Sequence, residues 1–370
     1  MSDATGFSKT RMQVQNIQAL RGVAALLVLA THISGGESDY GGTEKLLPEF
    51  LNMGATGVDL FFLISGFIMV YVTHDAGPLK TGKLKWESKI KRSAEFLFRR
   101  VTRIYPLYWL VTIAMILLYA GKSFFFNDKE IITNYFSSFL LLPDEKYPIV
   151  PVGWTLVYEM YFYIVFSFFL LFHRKKLPVL LALWGGVVII GTTTGLRGVG
   201  PWTNIIFSPL TFEFLLGGFI ALLSLNNIHR YSLVGIFIST FILFLLLVLF
   251  STSLYPKAVV DHTIRAMIFT LPYGLLLYAV VGIEWGYSRI APDWLIKIGD
   301  ASYSLYLTHV PLILIIGTLI SRGKITGFLD NILLIVACLV GGINTALITH
   351  KWVEQPLTKI FARIGETSTK

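Results

Sequence analysis

The stretch LRGVAALLVLATH, residues 20–32, decides how this chain is read. It lies in the first long apolar run, residues 17–33, and sets Arg21 and His32 eleven positions apart. A helix turns about 100° and rises about 1.5 Å per residue, so eleven positions return nearly to one face, roughly 16 Å further along. A cation and an imidazole therefore share one stripe of an apolar helix. Ionisable groups at membrane depth are costly, and they usually face a bundle interior or a wet cavity with a task to perform.

The rest of the chain has the same character. Of 370 residues, 54% are hydrophobic and 14% charged, against about 25% charged in ordinary soluble domains. Mean hydropathy is +0.67. Apolar stretches recur at 13–34, 55–75, 103–121, 152–172, 177–194, 205–224, 231–250, 262–283, 301–320 and 328–350. Most approach the ~20 residues that cross ~30 Å of hydrocarbon. Backbone groups in lipid must be satisfied within the segment, so continuous runs of this length make helices rather than barrel strands. The expectation is an all-α polytopic membrane protein with about ten transmembrane helices. One membrane-embedded domain spans 1–370, with 1–12 and 355–370 as tails and no appended soluble domain. Residues 131–142 are too short to span and read as an interfacial or re-entrant helix.

A net charge of +9 invites a nucleic-acid reading, but the basic residues alternate by side. With both termini cytoplasmic, 22 of the 31 Lys and Arg residues fall inside, including the run at 80–103. The positive-inside rule accounts for that excess, and no nucleic-acid partner is needed. The basic run is suited equally to anionic lipid and to a solvated loop. Long connections at 35–54 and 122–152 lie outside, where they are candidate walls of a substrate site. Cys338 is the only cysteine and lies in the last apolar run, a packing residue rather than a nucleophile. The seven histidines are scattered, with no metal-site spacing, and no metal is expected.

Polar residues recur where membrane helices have no need of them. Asp59 in GVDLFFLISGF reads either as a functional acid or as a first-turn acid satisfying free amides, and Ser65-Gly66 after it permits close helix approach. Arg99, Arg100 and Arg103 open the third run in RRVTRIYPLYW; Arg100 and Arg103, at i and i+3, share a face and suit a phosphate clamp. Glu159 in WTLVYEMYFY is an acid needing a partner, among tyrosines read mostly as an interfacial belt. Glu213 in FEFLLGG and His309 in SYSLYLTHVPL each read as direct participants or as structural hydrogen-bonding groups. Glu354 in KWVEQP suits an ion pair.

These pieces, in this order from residue 20 to 356, resemble the acyltransferase-3 family of integral membrane O-acyltransferases, and NIQALRGVAALLV looks most like its exopolysaccharide-modifying branch. The resemblance implies functional roles for Arg21 and His32 and for the pair Arg100 and Arg103. It implies acetyl-CoA as donor and a saccharide acceptor, free or lipid-linked, in the bacterial inner membrane, with polysaccharide assembly proteins as further partners. On this reading the phosphates sit on Arg21, Arg100 and Arg103. His32 acts as general base or transient acyl carrier, with Asp59 or Glu159 orienting it. Glu213, Trp154, Tyr303 and His309 are expected as substrate or structural support. The topology predicts a polarised site, with cations at the inner level and His32 plus the two acids at the outer. Rival readings are a glycan transporter or flippase, which polar membrane helices also suit, and a non-catalytic assembly scaffold. The absence of paired inverted repeats argues against the carrier.

Overall fold

The computed structural model describes residues 14–41, 45–74, 86–126, 134–226, 231–252, 262–286, 291–323 and 328–367. Among these the chain is helical and contains no strand. In order come α1 (Gln15–Tyr40), a 3-10 segment (Glu49–Thr56) leading into α2 (Gly57–Thr73), α3 (Trp86–Phe126), the short α4 (Tyr135–Leu140), α5 (Trp154–Phe169) and α6 (Leu177–Thr193). There follow α7 (Pro201–Ile206), α8 (Thr211–Leu225), α9 (Ser232–Thr252), α10 (His262–Gly286), α11 (Asp293–Asp300), α12 (Ser302–Arg322), α13 (Phe328–Thr349) and α14 (Gln355–Thr367). Ten spans among the described residues have the length and hydropathy to cross a membrane. The protein is an integral membrane protein of all-α class.

The helices outrun their apolar runs where charge, not hydrogen bonding, ends the hydropathy signal. α3 begins at Trp86 rather than near 103. Its charged first turns are tied down: Arg92 donates to the Thr73 carbonyl at 2.7 Å, satisfying the end of α2, and Ser93 donates to the Ser167 carbonyl at 2.7 Å. The last span continues through a π turn at His350–Glu354 into α14, so the segment expected as a tail is helical to Thr367. Of the segment 131–142, residues 131–133 lie outside the described part, and α4 occupies Tyr135–Leu140.

α1 runs through the middle of the bundle, against α2, α11, α12 and α13. Its first backbone N–H groups, orphaned in any helix, are capped by Glu284 of α10, which accepts from Gln15 at 2.8 Å and Asn16 at 2.7 Å. Arg21 is brought inward by a close approach of α1 to α11: a Cβ on Gly299 would lie 1.7 Å from the Gln18 carbonyl oxygen. α2 and α8 cross equally tightly. A Cβ on Gly66 would meet the Phe214 carbonyl at 2.0 Å, and one on Gly217 the Leu63 carbonyl at 1.9 Å. Small residues at a crossing are how membrane helices bring backbones into contact, since lipid offers no hydrophobic drive to association. Cys338 is fully buried in α13, as a packing residue should be.

Candidate functional site

α1, α2, α3, α5 and α12 enclose a cavity of about 770 Å³, counted to its open mouth, with Arg21, Arg100 and Arg103 on its wall. Glu159, Ser65, Tyr163, Tyr303 and Tyr306 line it too. Arg21 is nearly buried and donates to Gln18 Oε1 at 2.9 Å, one helical turn earlier. Arg100 stands over two ring faces, 5.3 Å from the Phe96 centroid and 5.4 Å from that of Tyr163. Tyr163 donates to Glu159 one turn before it, and Ser65 of α2 donates to the same carboxylate oxygen at 3.1 Å. The buried Nε of Arg100 has no hydrogen-bond partner among the described residues. Three guanidinium groups on one cavity, one with an unanswered N–H, suit a phosphate-bearing ligand.

Glu159 therefore lies with the cations and not across from them. Tyr163, read from sequence as one of an interfacial belt, is the residue that sequence reasoning missed; its signal was the i+4 spacing to Glu159. Tyr303 donates to the Ile104 carbonyl at 2.6 Å, bracing α12 against α3 beside Arg103. Glu354, expected in an ion pair, accepts from His350 Nδ1 at 2.9 Å and Ser304 at 2.7 Å.

His32 is outside this cavity and is joined to it by rings. Its imidazole meets that of His309 edge to face at 4.7 Å between centroids, and His309 lies 6.0 Å from the ring of Tyr306 on the cavity wall. Each histidine turns Nδ1 toward the carbonyl one turn earlier, Val28 for His32 and Leu305 for His309, both at 2.9 Å. A carbonyl can only accept, so each Nδ1 carries the hydrogen when the ring is neutral and each Nε2 keeps its lone pair. The Nε2 of His309 is buried and unpartnered among the described residues. His32 presents a base nitrogen whose tautomer is set by its own helix.

Asp59 and Glu213 lie elsewhere again. The residues of α2 that face the cavity are Val58, Phe61, Phe62, Ile64, Ser65 and Ile68, whereas Asp59 is fully buried and bound by Arg265 of α10, at 2.9 and 3.0 Å to its two oxygens. Glu213 of α8 is fully buried beside that pair. The Asp59–Arg265 pair ties α2 to α10 with Glu213 of α8 beside it, and no hydrogen bond or ion pair joins either acid to His32 among the described residues.

Trp154 belongs to a second cleft, between α4, α5 and α7, with Tyr147, Tyr158, Asn134, Asp144 and Asn204. YPLYW on α3 braces the α4 side of it from behind. Tyr105, Tyr108 and Trp109 donate to the carbonyls of Leu140 (2.8 Å), Ser138 (2.8 Å) and Phe139 (2.9 Å) at the end of α4, where helix carbonyls run short of partners. Asp144 accepts from the Lys146 amide at 3.1 Å, which holds its carboxyl below the usual range.

Comparison with known proteins adds the family to this geometry. A family model described as an acyltransferase domain matches residues 14–350. The exopolysaccharide production protein ExoZ of Rhizobium meliloti is 28% identical over 83% of this chain and 90% of its own length. The acyltransferase MdmB of Streptomyces mycarofaciens is 25% identical over 97% of the chain and 95% of its own length. A putative O-acetyltransferase of Staphylococcus aureus, SACOL0978, is 24% identical over 97% of the chain but only 60% of its own length. No solved structure matches the chain significantly. With nearly its whole length covered, the chain belongs to the acyltransferase-3 family of integral membrane acyltransferases.

Proposed function

We propose that this chain is an O-acetyltransferase of the bacterial cytoplasmic membrane, moving acetyl from acetyl-CoA to a hydroxyl of a cell-surface saccharide of the exopolysaccharide type. The observation that carries the reading is the convergence of Arg21, Arg100 and Arg103 on one cavity, linked through Tyr306 and His309 to the imidazole of His32. The family and the name of its relative ExoZ support the acyl and saccharide halves of the proposal.

Acetyl-CoA, when bound, supplies an acyl group activated as a thioester. The three arginines hold its phosphates at the cytoplasmic level, as the positive-inside charge distribution orients the chain. The roughly 16 Å of helix between Arg21 and His32 is then the span from phosphate site to reacting group. His32 Nε2 takes the proton of the acceptor hydroxyl as its oxygen bonds to the thioester carbonyl carbon; the C–S bond then breaks and the proton passes to the departing CoA sulfur, while the Val28 carbonyl fixes the tautomer that leaves this nitrogen free to accept. Glu159 positions Arg100 through Tyr163, its second contact from Ser65 anchoring the carboxylate to α2.

The test is acyl transfer by the full chain in lipid nanodiscs, given acetyl-CoA and de-acylated saccharide from the producing cells. Saccharide-dependent consumption of acetyl-CoA with one acetyl gained per acceptor supports the enzyme. Movement of the saccharide across vesicles without acylation overturns it in favour of a carrier.

A further inference from the structure

We propose that the cleft between α4, α5 and α7 is the docking subsite of the acceptor, and that it takes sugar rings flanking the one to be acylated. The inference rests on the O-acetyltransferase reading and names where its saccharide is held. The cleft's chemistry is that of sugar recognition. Tyr147, Trp154 and Tyr158 line it, and such aromatics combine an apolar body for the C–H surface of a pyranose with a polar edge. Asn134, Asn204 and Asp144 supply donors and an acceptor for hydroxyls at the same wall.

Those polar groups are already oriented. Asn134 Oδ1 accepts from the Ser137 amide at 3.3 Å and Asn204 Oδ1 from the Gly198 amide at 2.8 Å. Each amide is thereby fixed with its NH₂ turned away from the backbone contact. The three bonds from α3 to the end of α4 hold the segment on a rigid helix, so little ordering remains to oppose binding. The space amounts to about 390 Å³, within the roughly 300–1,000 Å³ of ordinary small-molecule sites.

Topology puts this cleft on the acceptor side. Successive spans alternate direction, so the start of α5 and the end of α6 share a membrane face with the end of α1, nearer to His32 than to Arg21. The same turn of chain serves both places: Val152 and Thr155 bind the Tyr306 hydroxyl at 2.9 and 2.7 Å, next to His309, while Trp154 between them lines the cleft. An extended saccharide lying in the cleft thus ends beside the histidine pair.

The experiment uses the full chain in nanodiscs with de-O-acylated oligosaccharides released from the surface polysaccharide of the producing cells. Tyr147 is 63% exposed, so Tyr147→Ala leaves the fold intact, and Asn204→Asp keeps the loop-capping oxygen while removing the donor. The expected result is an acceptor KM raised at least tenfold in both, with donor KM and thermal midpoint unchanged. Acceptor KM at the wild-type value in both variants overturns the cleft and leaves the acyltransferase reading standing. If the wild-type chain acylates no fragment, that reading fails instead, and direct calorimetric binding decides the cleft: loss of fragment binding in the variants supports it, and no binding by wild type overturns it.

Discussion

His32 and His309 come from α1 and α12 and meet edge to face with 4.7 Å between ring centroids, each with Nδ1 on its own helix's carbonyl. Two imidazoles this close disfavour a positive charge on both rings at once. The immediate neighbour of the proposed base is a second imidazole rather than a carboxylate. His309→Phe, which keeps an aromatic edge and removes the nitrogen, is expected to lower kcat by roughly tenfold while leaving donor KM unchanged. Steady-state kinetics in each substrate check it.

Arg100 is the cation most dependent on geometry, because it combines a place on the cavity wall with ring faces at 5.3 and 5.4 Å. Lysine keeps the charge but loses the planar fork and the stacking. Arg100→Lys is expected to weaken donor binding about tenfold, or ~1.4 kcal/mol. Calorimetry with desulfo-CoA reads this directly, and unchanged affinity would remove Arg100 from the donor site.

Asp59 and Glu213 should behave differently although both are fully buried. Asp59 answers Arg265 at 2.9 Å, and removing one partner of a buried pair costs about 3–5 kcal/mol. Asp59→Asn is expected to lower the thermal midpoint sharply. Glu213→Gln keeps a side chain of the same shape beside that pair and should leave the midpoint near wild type. The reverse ranking would contradict the assignment of Asp59 as the tie between α2 and α10.

Gly66 tests the α2–α8 crossing. A Cβ there meets backbone at 2.0 Å, whereas one on Gly186 in α6 meets nothing within 4 Å. Gly66→Ala is expected to abolish folded yield in detergent, and Gly186→Ala to be neutral or to stabilise by up to about 1 kcal/mol. Size-exclusion profiles distinguish the two.

These residues also mark how far the sequence could be read. Ten apolar runs announced ten spans, because lipid leaves a chain no alternative to long helices. Ser65-Gly66 likewise announced a crossing. Helix ends were legible only where charge and hydrogen bonding stop together, which is why α3 extends back to Trp86. Arg21, Arg100 and Arg103 line one cavity; the shared face of Arg100 and Arg103 was legible from their i, i+3 spacing, and the shared level of Arg21 from topology. The partners of the acids were not legible, since Asp59 to Arg265 and Glu159 to Ser65 are long-range pairings set by helix rotation. A residue's depth follows from topology; the face it turns to its neighbours follows from packing, which one sequence does not encode locally.

The central claim is that His32 takes the proton of the acceptor while the arginine cavity holds the donor. The measurement that tests it most directly is acetyl transfer by purified His32→Ala, paired with donor affinity of the same preparation. The account predicts that transfer falls by roughly 10²–10⁴-fold while donor affinity stays at the wild-type value. Transfer at the wild-type rate by His32→Ala would contradict it.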